Sequence, residues 1–150
     1  MTNQVKIRFS FTNSDGVAET ETMWTLKQAD GYKIDNIPFY ATELAFGDLI
    51  RAEPDDSGLL WYAGLNSPSG HSTIRLWFSD ETHVQTVRTN LKQLGCGSEI
   101  SDLPRLVAVD VPPSVDFGNV VKSFLDEGER DGVFEYEEAC LGSSAKDSGA

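Results

Sequence analysis

The sequence predicts an α+β fold: a small β-barrel or rolled antiparallel sheet over residues 1–68, followed by a ferredoxin-like α/β plait half over 69–142. Three observations predict it. Residues 1–68 hold five short alternating or apolar runs separated by turn signals, with no long helical pattern. From residue 69 the order becomes strand, helix, strand, helix, strand, and two segments carry apolar stripes of helical period. The stretch between the halves, NSPSG at 66–70, is short, so the two subdomains are expected to pack together. The polar tail 143–150 is expected to be disordered.

Each element follows from its pattern. In VKIRFSF, Val5, Ile7, Phe9 and Phe11 face one way and Lys6, Arg8 and Ser10 the other, the period-two signature of a half-buried strand. The turn NSDG, Asn13 to Gly16, leads into VAETETMWTL, where Ala18, Thr20, Thr22, Trp24 and Leu26 share a face. Pairing Thr12 with Val17 sets Arg8 opposite Glu21, a predicted surface ion pair, and Val5 opposite Trp24. A second turn at Ala29 to Gly31 leads into YKIDNI. The segment IPFYATELAFG, 37–47, is apolar without alternation and carries Pro38, so it reads as a loop with a short helical turn. GDLIRAEPDD and LLWYAGL are two further strands around the turn at Asp55 to Gly58.

In the second half, STIRLWF is a strand. SDETHVQTVRTNLKQLG is a helix with Ser79 or Asp80 as N-cap, Val84, Val87, Leu91 and Leu94 on one face, and Gly95 at its stop. LPRLVAVDVP is a strand. PPSVDFGNVVKSFLDEG is a helix with Pro113 and Ser114 at its start, Gly128 near its end, and a stripe of Phe117, Val120, Val121, Phe124 and Leu125. VFEYEEACL closes the order as a strand. One plait strand is short or hidden in SEISDL, and GCGSE reads as a C-terminal cap.

Charge narrows the function classes. The chain carries 24 acidic against 12 basic side chains, a net charge of -12, divided as 10 against 5 over 1–68 and 14 against 7 over 69–150. Such a field repels nucleic acid and anionic membrane, which bind through clustered Lys and Arg. No window is apolar enough for a membrane span, and MTNQVKIRFSF alternates where a secretory signal would run basic then apolar, so a cytoplasmic location is expected. Cys96 and Cys140 lack the spacing of a zinc site and are expected as reduced thiols.

The strings ETMW at 21–24, GYKIDNIPFYATELAFGD at 31–48 and SGHSTIR at 69–75 together resemble an uncharacterised family of small bacterial domains of unknown function. Its signature runs E-x-x-W, N-I-P-F, G-D, then S-G-H-S-T-hydrophobic-R. The matching positions are Glu21, Trp24, Asn36, Ile37, Pro38, Phe39, Gly47, Asp48, Gly70, His71, Ser72, Thr73 and Arg75. The resemblance covers about residues 5 to 140 and implies a compact domain, with no activity attached.

His71 and Ser72 are strand neighbours whose side chains point to opposite faces, and no G-x-S-x-G elbow is present, so a Ser-His nucleophile is disfavoured. Asp48 beside Gly47, and Asp35 with Asn36, read as turn and cap residues in preference to an acid–base pair. His71 and His83 have no metal-ligand spacing, and no phosphate-cradling glycine motif occurs, so neither metal nor cofactor is expected. SGHSTIR is therefore expected to join the halves: Gly70 turns, Ile74 and Leu76 enter the core, and His71, Ser72, Thr73 and Arg75 make hydrogen bonds. The adjacent aromatic pairs Trp61–Tyr62 and Trp77–Phe78 must split between faces. Packing between the halves is preferred for them, with Trp61 and Trp77 as anchors if a partner binds.

The expectation is a non-enzymatic acidic binding protein, an immunity or inhibitor protein covering a basic partner such as a bacterial toxin that acts on nucleic acid or nucleotide. Its electrostatic part is placed on DEGERDGVFEYEE, with Asp126, Glu127, Glu129, Asp131, Glu135, Glu137 and Glu138. The alternatives are a small hydrolase or transferase using His71 with Ser72, Arg75 or Asp48, and a small-molecule-binding regulatory module.

Overall fold

Alternation does build the first sheet. In the computed structural model, which describes residues 3–142, the strands β1 (Gln4–Thr12), β2 (Ala18–Gln28), β3 (Gly31–Ile34), β4 (Leu49–Pro54) and β5 (Leu60–Ser67) pair antiparallel in that order. The circuit returns to its start through one parallel pairing, Arg8 of β1 opposite Trp61 of β5. Ile7, Met23, Ile34 and Ile50 fill its interior together with Ala41 and Leu44, which come from the segment between β3 and β4. The tail expected to be disordered, 143–150, lies outside the described residues.

The hairpin register differs from the expected one by a residue. Thr12 pairs with Ala18, which puts Arg8 opposite Thr22, Phe9 opposite Glu21 and Lys6 opposite Trp24. The cause is the turn: Asn13 accepts from the Asp15 and Val17 amides through Oδ1 while its own amide donates to the Val17 carbonyl, so five residues, Asn13 to Val17, lie outside the ladder. A one-residue slip exchanges the faces of a strand. Glu21, Met23 and Thr25 therefore point inward, Trp24 is exposed with the Lys6 ammonium over its ring, and the Arg8–Glu21 surface pair does not form.

The second sheet has β6 (Ser72–Phe78), β7 (Gly97–Ile100), β8 (Leu106–Val111) and β9 (Phe134–Cys140) in the order β7-β8-β6-β9, every neighbour antiparallel. Both central strands are buried on both faces: all six residues of β8, and all of β6 except Trp77. The short strand sits at 97–100, so GSE belongs to β7 and only Gly95, at φ 94°, ends the preceding helix. Helices α1 (Val84–Gln93) and α2 (Lys122–Arg130), with the turn that leads into α2, cover one face, where Val87, Leu91, Val121 and Leu125 meet Ile74, Leu76, Val107 and Val109. The protein is α+β, mostly β, with two sheets and two short helices among the described residues. No helix among the described residues is long and apolar enough to cross a membrane.

Both helices begin irregularly. Asp80 caps a 3₁₀ turn, Glu81–His83, that runs into α1, and Asp116 caps a π-helical turn, Phe117–Val121, that runs into α2. The start expected at Pro113 and Ser114 is thus moved to Asp116, and the wider turn rotates Val120 out of the apolar stripe to 40% exposure. Gly128 is an interior residue of α2. A Cβ there would lie 2.3 Å from the Phe134 ring, so glycine lets β9 pack its phenylalanine against the helix.

Residues 35–48 run as irregular chain, without the helical turn expected in 37–47. Side chains from the two sheets take up the backbone groups that a helical turn would have paired internally.

Candidate functional site

The signature residues converge on that irregular segment. Glu21 of β2, 8% exposed, accepts from three successive amides: Phe39 at 2.6 Å through Oε2, and Tyr40 at 3.0 Å and Ala41 at 2.8 Å through Oε1. Asn36 accepts from the Trp24 amide at 2.7 Å. Asp48 is buried and uses both oxygens, accepting from the Ala45 amide at 3.0 Å and the Ser69 amide at 2.8 Å. From the second sheet, Thr73 donates to the Leu44 carbonyl at 3.0 Å and Arg75 to that of Ala41. Pro38 is buried, Gly47 turns at φ 85° and Gly70 at φ 91°. The signature forms a latch that binds the segment to both sheets.

Arg75 is the buried cation of the latch, 7% exposed. Its guanidinium also meets Glu137 at 3.2 Å, and burial lowers its pKa, opposed by Glu137 and Glu21. Its Nε is buried with no hydrogen-bond partner among the described residues.

At the other end of the joint, His71 Nδ1 lies 2.8 Å from Asp110 Oδ1 of β8, and Phe46 stands against the ring at 5.5 Å between centroids. Burial raises the Asp110 pKa, opposed by the hydrogen bond and charge of His71. An ionised carboxylate only accepts, so the Nδ1 proton lies between them and Nε2 is the basic nitrogen. His71 faces a cleft of about 450 Å³ with Asp48, Ser69, Cys140 and Gly142. Ser72 is not available to it, because its buried Oγ accepts from the Gly142 amide. Of the residues weighed with His71, Asp48 shares its cleft; Ser72, Arg75 and Asp48 each hydrogen-bond elsewhere, and the side-chain partner of His71 is Asp110.

The acidic segment divides in two. Asp126 accepts from the Tyr136 hydroxyl, Glu129 from the Tyr136 amide, Glu137 pairs with Arg75 and Glu138 with Lys122 at 3.5 Å, so these four hold α2, β9 and β6 together. Glu127, Asp131 and Glu135 make no such bond among the described residues. β9 is a sheet edge, and register places Glu135 directly opposite Trp77, which is 44% exposed. The two line one groove of about 660 Å³ with Glu129, Phe134 and Tyr136. Packing between the halves is expected of Trp77; it lines a cleft with Phe11, Phe39 and Tyr40 of the first half and keeps 44% of its surface exposed. Trp61 is distant in the fold: it lies on β5 of the other sheet and donates to Asp55 at 2.9 Å.

Sequence reasoning missed Asp110, Ser69 and the stack of Phe11 on Tyr40, whose centroids are 5.0 Å apart. A carboxylate inside the apolar run LVAVDV was the signal for Asp110, since a buried charge needs a partner. His83 and His71 do not come together with further ligands: no group of three or more metal-binding side chains exists among the described residues.

A family model described as a domain of unknown function, DUF4265, matches residues 21–136. The chain belongs to the DUF4265 family. A solved structure titled as the novel crystal structure of a hypothetical protein from Neisseria gonorrhoeae is similar to this DUF4265 protein, with a TM-score of 0.81 at 22% sequence identity over 95% of this chain and 96% of that chain. Comparison with curated proteins finds no match. At that identity the likeness establishes the fold of the DUF4265 chain, and function has to be argued from its surface.

Proposed function

We propose that this protein is a non-enzymatic acidic binding protein, an immunity or inhibitor protein that neutralises a basic bacterial toxin or effector in the cytoplasm by covering it. The observation that carries the reading is the groove in which exposed Trp77 stands opposite Glu135 on the edge strand β9. A desolvating aromatic anchor beside uncommitted carboxylates suits a cationic surface, and the net charge of -12 accelerates encounter with it. In fold terms we read the second half as a ferredoxin-like plait, supported by its β-α-β-β-α-β order and the strand order β7-β8-β6-β9, and the first as a small barrel, supported by the return of β1 to β5.

The test is affinity capture from the host with a salt titration of what co-purifies, repeated with Glu127, Asp131 and Glu135 reversed to lysine. A basic partner that is inhibited by this chain, released by raised salt and lost from the triple variant supports the reading. Capture unaffected by salt and by the reversals refutes it. A second reading, an enzyme using His71 as base, draws on Asp110 orienting its imidazole. It requires that a folded His71→Ala variant lose a defined hydrolase or transferase activity.

A further inference from the structure

We propose that a second cleft, between the tip of the β1–β2 hairpin and the Trp77 end of β6, receives an arginine side chain of the basic partner. The inference rests on the acidic-binding reading and names the residue type that seats. The cleft measures about 450 Å³. Its walls are aromatic: Phe11 stacks on Tyr40 with an interplanar angle of 7°, and Phe39 and exposed Trp77 complete them. Flat π faces accept a planar guanidinium better than a compact ammonium.

Charge fixes the sign of the occupant. Glu19 and Glu137 line the cleft, and Asp102 stands behind the Tyr40 hydroxyl it accepts from. Arg75, the cation of this lining, already lies against Glu137 and within the field of Glu21. An anion entering here would meet more carboxylate than guanidinium, whereas a cation meets carboxylates and rings together. The occupant is thus an arginine side chain with its guanidinium toward Glu19 and Trp77.

The experiment is a ¹H–¹⁵N titration of the full chain with the heptapeptide acetyl-Gly-Ser-Gly-Arg-Gly-Ser-Gly-amide and with its citrulline counterpart, which keeps the shape and loses the charge. The arginine peptide is expected to shift the Trp77 indole N–H and the Phe11 and Tyr40 amides. Citrulline, Trp77→Ala and the Glu19→Gln/Glu137→Gln pair should each weaken binding at least about tenfold. Circular dichroism confirms that the variants remain folded. Equal binding of the citrulline peptide overturns the inference. So do shifts confined to Glu127, Asp131 and Glu135, which would leave the acidic-binding reading standing. No binding of this peptide or of hepta-arginine anywhere on the surface overturns both.

Discussion

Replacing Glu21 by alanine removes one side chain and orphans three backbone donors. The amides of Phe39, Tyr40 and Ala41 all end on its carboxylate at 2.6 to 3.0 Å. Hydrogen bonds to a charged acceptor contribute roughly 1.5–3 kcal/mol each, and a buried donor left unpaired costs about 1–3 kcal/mol. Three full losses do not add here, because Phe39 and Tyr40 are half-buried and water can replace part of their bonding, whereas Ala41 is fully buried. The desolvation of the carboxylate, relieved in the variant, offsets a further part. The net expectation is a loss of about 3–5 kcal/mol, a large share of the 5–15 kcal/mol typical of a domain. For a chain of 150 residues that is a fall in Tm of roughly 6–20 °C. Glu21→Gln keeps one acceptor but turns an amide donor toward a donor, and should lose about 1–3 kcal/mol. Urea and thermal unfolding give the magnitudes, and native-state hydrogen exchange should show the three amides losing protection before the strands do. A Tm within about 2 °C of wild type, with unchanged protection at 39–41, would refute the claim that this carboxylate holds the segment.

Gly142→Ala should destabilise by more than Gly70→Ala: an added Cβ at 142 meets the Gly70 carbonyl oxygen at 2.0 Å, whereas at 70 it has 3.5 Å to Pro113 and the cost is the backbone strain of φ 91°, about 1–2 kcal/mol. Paired thermal melts decide the order. Leu76→Ala and Trp77→Ala are adjacent but should differ in urea unfolding, with roughly 2–5 kcal/mol lost for the fully buried leucine and less for the tryptophan, which is 44% exposed. Because the Asp110 pKa is raised in the fold, the native state holds that proton more tightly than the unfolded chain; its stabilising share is complete below the ordinary carboxylate value and lost as pH rises through the raised one. Wild type should therefore lose stability relative to Asp110→Asn as pH rises from below the ordinary carboxylate range through the raised one, measured by urea unfolding.

The strands were readable because alternation reports half-buried sheet, as in VKIRFSF, and a short apolar and β-branched run reports a strand buried on both faces, as in STIRLWF. The hairpin register was not. The face Thr20-Thr22-Trp24-Leu26 carries more apolar side chain than Glu19-Glu21-Met23-Thr25, so the pattern favours the face that ends outside, and the side chain of Asn13, bonding ahead to Val17, accompanies the register that reverses it. Choosing the wrong face hid the role of Glu21, since a glutamate on an outer face reads as a surface pair. His71 and Asp110 stand 39 residues apart, and no spacing rule joins them. The acidic segment was visible as charge. That four of its carboxylates are committed to Tyr136, Lys122 and Arg75 follows only from the packing of α2 beside β9.

These misreadings share a physical source, which also separates fold from function in this chain. An irregular segment buried between two sheets has amides and carbonyls that no ladder satisfies, so both sheets must lend polar side chains to it. Glu21, Asp48, Thr73 and Arg75 do so by bonding to backbone, and backbone groups are the same whatever side chains the segment carries. A latch of that kind constrains a few polar positions and leaves the rest of the sequence free to vary, in keeping with a TM-score of 0.81 at 22% identity to the Neisseria gonorrhoeae protein. It follows that the motif most conspicuous in the sequence, SGHSTIR, is spent largely on holding the joint. Groups that the latch leaves over for another molecule include the Nε2 face of His71 and, outside it, Trp77 with Glu135 at the open edge of the sheet.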